Sequence, residues 1–227
     1  MTEGSPGTTQ LAQARRLWYG THEALLSSHS QDPPGYPFGS LTPFCLTPQG
    51  EPLLLLSHLA RHTRNLQASP RCSLLLREEG SGDVQQLARL TCLAQAEPLQ
   101  DCPEQWRNGY FRHFPDAREY YQHLNFRFFR LIPHRCYFIG GFGSARWLDS
   151  SRLLPSYAFT QREEAKLLPG AQAVYQAHEA DRPLLLVGVD CYGATLRKGP
   201  HFTRIEFDAP IEGPAEFLAR LGSCLAD

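Results

Sequence analysis

No apolar run in this chain reaches the roughly 18–20 residues needed to cross a bilayer as a helix. The longest, Pro52 to Leu56, is the length of a strand. The first nine residues lack the basic start and apolar centre of a secretory leader, so the expected location is the cytoplasm, away from membranes. Charge of one sign is also missing. A net charge of -1 leaves no basic excess to hold a nucleic-acid backbone, and no nucleic-acid partner is expected. The seven cysteines include no C-x-x-C pair, and their number is odd, which argues against a disulfide framework and against a zinc knuckle. Nucleophile elbow, Walker loop and paired catalytic carboxylates are all absent, so redox chemistry here would have to come from a bound cofactor.

What is present is an ordinary globular composition, 42% hydrophobic and 20% charged over 227 residues. That length suffices for one core, or for a barrel with a small second domain. Residues 1–9 are polar and expected to be flexible. Apolar residues at helical spacing predict a helix over Leu11–Ser28, broken by Gln31–Tyr36 with its consecutive prolines. A hairpin follows: a strand over Gly39–Thr47, a turn at Pro48-Gln49-Gly50, and a strand over Pro52–Ser57. His58–Gln67 has helical spacing. Cys72–Arg77 and Gln86–Ala96 read as strands on either side of a polar turn at Glu78–Asp83. Pro103–His123 reads as helix interrupted at Pro115. Asn125–Leu131 and Cys136–Phe142 read as two strands joined by a Pro-His-Arg turn. After a linker over Leu153–Thr160 come a helix (Glu163–Ala180), three short strands (Leu184–Val189, Gly193–Arg197, Phe202–Phe207) and a last helix (Glu212–Leu225). The pattern predicts an α+β fold: antiparallel strands closed into a barrel with helices outside it.

Three stretches could carry chemistry. Ser57–Leu66, SHLARHTRNL, puts Ser57, His58, Arg61, His62, Arg64 and Asn65 at a strand-to-helix junction. Basic side chains at a helix start suit a phosphate, and a solvated helix face with Ser57 as its cap is the other reading. His58 and His62, four apart, are expected to share a helix face. Ile139–Leu148, IGGFGSARWL, has glycines that permit close approach to a flat group or simply make a tight turn. The aromatic and basic residues between Trp106 and Phe129 suit a core, a subunit interface, or the lining of a planar cofactor. In the C-terminal part, His178 and His201 could ligate haem iron.

PGYPFGSLTPFCL, LLLLSHLARHTRNLQASPRCSLLL, ARLTCLAQAE and FRLIPHRCYFIGGFGSARWL occur in an order that resembles the haem-utilisation branch of the pyridoxamine-phosphate-oxidase-like split barrels. The tail, GVDCYGATLRKG followed by RIEF, is similar to the small α/β domain appended to such proteins. The resemblance implies a split β-barrel (FMN-binding split barrel) with flanking helices over residues 10–152, and a small C-terminal α/β domain over 153–227. It further implies a homodimer with cofactor clefts at the interface, and haem or FMN as the small-molecule cofactor. Carried over by position, Ser57, Arg61, His62, Arg64 and Asn65 are the cofactor-binding candidates. His178 and His201 are the candidate iron ligands, since haem-degrading relatives hold the metal through a C-terminal histidine. The activity implied is haem binding with oxidative degradation, with an FMN-dependent oxidoreductase or a non-catalytic barrel as alternatives. The chain departs from the pattern in three places. It lacks the lysine that flavin enzymes carry near His62. It has Asn125 where haem relatives carry an acidic residue. It has QAHEAD where the appended domain usually holds a histidine-rich motif.

Overall fold

The computed structural model describes residues 6–80, 83–141, 144–179 and 181–226. Two compact units emerge. The first comprises residues 1–46, 51–102 and 116–154, and the second comprises 47–50, 103–115 and 155–227.

The first unit opens with α1 (Pro6–Gly20), which buries Ala14, Leu17 and Trp18. Residues 1–5, part of the segment expected to be flexible, lie outside the described residues. The helix stops at Gly20 rather than Ser28, and the chain enters strand β1 (Glu23–Gln31). Here Ala24, Leu26, Ser28 and Ser30 are buried at every second position. Two of the four inward residues are serines, so the period-two signal is weak in the sequence, while Leu25, which fits a helical spacing, points outward.

The prolines of QDPPGY turn β1 into β2 (Pro34–Pro43), its antiparallel partner. β2 is an edge strand, which is where a sheet tolerates prolines. The expected strand over Gly39–Thr47 is therefore two pieces. Residues up to Pro43 pair with β1, and β3 (Cys45–Leu46) pairs with β4 (Pro52–Ser57). Between them Phe44 is fully buried, its N–H donating to His22 O at 3.0 Å. The turn before β4 forms as expected: Gly50 N–H donates to Thr47 O at 2.8 Å, with Gly50 at φ +79°. Leu53–Leu56 of β4 are all buried, as a continuous apolar run in a central strand requires.

Helix α2 (Arg61–Ala68) follows, then β5 (Arg71–Arg77), β6 (Arg89–Pro98), β7 (Phe126–Ile139) and β8 (Ala145–Asp149). Residues 81–82, in the expected turn after β5, and 142–143, in the glycine-rich stretch after β7, lie outside the described residues. The sheet is antiparallel, in the order β2-β1-β5-β6-β7-β4-β3, with β8 also on β7.

β7 is one strand of 14 residues, not two joined by a turn. β6 runs along one of its edges from Phe129 to Ile139. The other edge is shared: residues 126–130 pair with β4 and residues 135–139 pair with β8. Pro133 lies in the gap between them, opposite a bulge at Leu93/Ala94. A residue without an N–H interrupts the ladder without ending the strand. Helix α4 (Ala117–His123) packs on β7, and α2 packs on β1 and β2.

The second unit has a three-stranded antiparallel sheet of β9 (Leu185–Asp190), β10 (Gly193–Lys198) and β11 (His201–Glu206), with β10 central. Helices α5 (Gln161–His178) and α6 (Pro214–Ala226) pack on each other. A reciprocal Thr160–Glu163 capping box starts α5. Helix α3 (Glu104–His113) joins this unit although it lies in the sequence between strands of the barrel. Arg112 fastens it, donating Nε–H to Val187 O at 3.0 Å and pairing with Glu164. The fold is thus α+β: a split barrel with flanking helices and a separate small sheet with its own helices.

Candidate functional site

The junction between β4 and α2 is shaped by Ser57. This last residue of β4 stands opposite Phe126 of β7. Its carbonyl accepts the Ala60 N–H at 3.1 Å and the Thr63 hydroxyl at 2.6 Å, and its Oγ accepts the Leu59 N–H at 3.3 Å. These bonds make a tight corner. The helix then starts at Arg61 with Ala60 in the N-cap position and no side-chain cap, so Ser57 forms the turn rather than the cap.

Four of the five cofactor-binding candidates stand along this corner. Arg61 is half exposed and pairs with Asp32, 3.5 Å away in the β1–β2 turn. Arg64 is exposed and gives one N–H to Leu59 O at 2.9 Å. A surface ion pair costs little to open, so both guanidinium groups can turn to an anion. His62 is half-buried, and burial lowers its pKa, which favours the neutral ring. Asn65 differs from the other four. It is fully buried, its Oδ1 accepts the Gln31 N–H, and its amide donates to Ser28 Oγ, both at 3.1 Å. Its side chain bolts α2 to β1. The two candidate iron ligands belong to the second unit. His178 ends α5, exposed, with Nδ1 2.9 Å from Val174 O. His201 starts β11, exposed and opposite Lys198.

His58 lies before α2, not in it, so it shares no helical face with His62. It is exposed, and its Nδ1 lies 3.2 Å from the carbonyl of Asn125. A carbonyl only accepts, so in this contact Nδ1 carries a proton and donates it. Asn125 has φ +53°, a left-handed conformation that asparagine tolerates, where the chain turns from α4 into β7. Large side chains of the adjoining segments are open to solvent: Leu59 is 69% exposed, Leu124 54% and Tyr120 43%, with the Tyr120 ring packed on Phe126 at 5.5 Å. Spacing alone could not reveal this corner, because Asn125 is brought to His58 by the β4–β7 pairing.

The glycine-rich stretch makes the β7–β8 turn, with Gly140 N–H donating to Ser144 O at 2.9 Å. The aromatic segment divides: Tyr110 and Phe111 are core residues of the second unit, and Phe128 and Phe129 of the barrel. Cys92 and Cys136 face one another across β6 and β7 in the barrel core, and burial pushes the nearby Cys72 thiol up to about 12. Among the described residues no three His, Cys, Asp or Glu side chains are grouped to hold a metal ion. No described helix is long and apolar enough to cross a membrane.

The chain is 34% identical over 131 residues to the haem oxygenase HutZ of Vibrio cholerae serotype O1, covering 54% of this chain and 73% of that one. It is 42% identical over 64 residues to the chloroplastic non-canonical haem oxygenase HOZ of Arabidopsis thaliana, covering 28% of this chain and spanning only 20% of that relative's length. Among solved structures, the Agrobacterium tumefaciens protein Atu2129, of unknown function, superposes with a TM-score of 0.71 at 20% identity, covering 100% of this chain and 97% of that one. A haem-binding protein from Mycobacterium smegmatis gives 0.58 at 20% identity, covering 100% and 98%. At that identity the structural likeness shows the fold. The family profile described as CREG, beta-barrel matches residues 6–154, the stretch from α1 past β8, and the chain belongs to that family.

Proposed function

We propose that this protein binds haem at its split barrel and opens the ring oxidatively in haem utilisation. The observation that carries this reading is the 34% identity over 131 residues to a haem oxygenase of which the chain covers 73%. The barrel corner suits the group. It offers exposed large side chains at Leu59, Tyr120 and Leu124 for a macrocycle, Arg61 and Arg64 for propionates, and the half-buried His62 imidazole, whose pKa burial lowers. Bound haem would supply the oxygen chemistry; the chain's own residues bind it, orient it and exclude water. Residues 10–152 act as the cofactor-binding module. The protein acts in the cytoplasm as a homodimer.

One feature supports the dimer. Cross-strand register aligns Leu41, Leu25, Leu75, Thr91, Tyr137 and Trp147 in a single row over the outward face of β2, β1, β5, β6, β7 and β8. Leu41 is 66% exposed and Trp147 47%, with the Arg135 guanidinium 4.8 Å from the Trp147 ring centroid. A mostly apolar row across six strands is what a second copy of the chain would cover.

The test is hemin titration of the purified protein, followed by ascorbate in air. A Soret band saturating at one haem per subunit, then bleaching with release of iron, supports the reading; no saturable Soret change rejects it. The second reading, FMN binding, rests on the basic β4–α2 junction. Saturable FMN binding that Arg61→Glu abolishes, without hemin binding, would favour it.

A further inference from the structure

The geometry points to a second ligand site, for a small oxyanion, on the face of the C-terminal sheet that carries Arg197 and Arg204, with Nε and Nη2 of Arg197 as its binding edge. The site lies wholly within the second unit and is independent of the haem reading.

The register fixes which side chains share this face. Thr195 and Arg197 are two positions apart on β10, so they project to the same side. Across the ladders Thr195 stands opposite Arg204 and Gly188, and Arg197 stands opposite Phe202 and Leu185. Arg197 and Arg204 are therefore diagonal neighbours, with Cα atoms roughly 7–8 Å apart. His113 of α3 covers part of the face. Its ring stacks on Phe202 at 5.9 Å, and a Cβ on Gly188 would lie 3.0 Å from its Cε1. The absence of a side chain at Gly188 leaves the room that the imidazole takes.

Charge is unevenly matched on this face. Arg204 pairs with Asp190 at 2.6 Å and donates to Thr195 Oγ1 at 3.0 Å. Arg112, beside His113, pairs with Glu164. Glu206 stands at the far end of β11, opposite Gly193. Arg197 is half-buried and has no acidic partner among the described residues. Its Nη1 donates to Gly199 O at 2.7 Å, while its Nε is buried without a hydrogen bond.

The remaining edge of that guanidinium, Nε with Nη2, is a fork of parallel N–H groups, which a carboxylate or phosphate takes with two oxygens. A buried N–H without an acceptor is costly, and an unseen ion or ligand is one way to satisfy it. The cross-strand partners of Arg197, Leu185 and Phe202, are both apolar, and low local polarity strengthens a charge-assisted hydrogen bond. The His113 imidazole registers the positive field: after burial, the main cause, the charges of Arg112, Arg204 and Arg197 push its pKa down, to about 4.

The experiment uses the full chain, labelled with 15N, without hemin. Sodium phosphate or sodium acetate replaces sodium chloride at constant ionic strength. The Arg197 Nε–H resonance is followed by nuclear magnetic resonance, and affinity by calorimetry. A saturable shift of that resonance at one anion per subunit supports the site. Saturation with phosphate alone assigns it to phosphorylated ligands, and with acetate alone to carboxylates. Arg197→Lys keeps the charge without the fork, and Arg197→Gln removes both. Each should lose at least about tenfold in affinity, with unchanged circular dichroism. Lys198→Gln, on the opposite face of β10, should bind as the wild type does. No saturation with either anion would mean that water satisfies the edge, and the assignment fails. Wild-type affinity in Arg197→Lys, or an equal loss in Lys198→Gln, would mean an adventitious ion only and overturns it too.

Discussion

Asn65 and Ser28 meet in the barrel wall, the Asn65 amide donating to the serine hydroxyl at 3.1 Å while its oxygen takes the Gln31 N–H. Both side chains are buried. Removing the amide takes the acceptor from the Gln31 N–H and one of two partners from the Ser28 hydroxyl, which also donates to Phe38 O. Asn65→Ala should therefore cost about 2–3 kcal/mol, and Asn65→Leu at least as much. Urea unfolding curves of the variants check this. The wild-type midpoint in Asn65→Ala would show that water replaces the amide and that the side chain is not a structural bolt.

That position shows how far the sequence carries. Most strands and helices after β4 are readable because apolar runs and turn residues are local signals, but β8 is not, since it starts inside the glycine-rich stretch read as a turn. Ser57 stands at the β4–α2 junction, whereas Asn65 sits within α2, and nothing local distinguishes an asparagine turned into the wall from one turned to a ligand. The β1 strand was hidden because serines hold two of its inward positions. The continuity of β7 was hidden because Pro133 is a turn signal everywhere except opposite a bulge. The association of α3 with the C-terminal sheet depends on Arg112 meeting Val187 and Glu164, and no periodicity encodes a contact between such distant segments.

His113 gives the second unit a pH dependence. Burial, which outweighs the raising effect of its bond to Gly109 O and is reinforced by the charges of Arg112, Arg204 and Arg197, lowers its pKa to about 4. The ring stacks on Phe202 at 5.9 Å. Unfolded, the imidazole binds its proton near pH 6.5, so between that value and about 4 the unfolded chain holds more protons than the folded one. Stability from this group is full above pH 6.5 and is lost as pH falls, by about 3 kcal/mol at the lower limit. His113→Gln should flatten this slope. Hydrogen exchange of the β9 and β10 amides at pH 5 and pH 7 reads it; equal slopes for wild type and variant would count against the assignment.

Gly193 begins β10 at φ +149°, and a Cβ there would lie 2.0 Å from the carbonyl oxygen of Ile205. The obstacle is backbone of the paired strand, which cannot rotate away as a side chain could. Gly193→Ala should cost about 3 kcal/mol or more and disturb the small sheet. The contrasting Gly199→Ala, at φ +58° but in open space, should cost only about 1–2 kcal/mol. Thermal unfolding of the pair tests the ranking, and a Gly193→Ala as stable as Gly199→Ala would contradict it.

The row from Leu41 to Trp147 makes the dimer testable. Leu25 and Leu41 are direct cross-strand partners, as are Tyr137 and Trp147, so each end of the row is a pair rather than a lone side chain. Charges placed there leave the barrel core untouched, since Leu25, Leu41 and Trp147 are all exposed. In a dimer across this face, Leu41→Glu combined with Trp147→Glu would bury four carboxylates against one another, and desolvation alone would exceed the few kcal/mol that an interface can lose. Sedimentation velocity at micromolar concentration should show the wild type as a dimer and the double variant as a folded monomer with unchanged circular dichroism. A double variant that sediments with the wild type would move the interface to another face of the barrel.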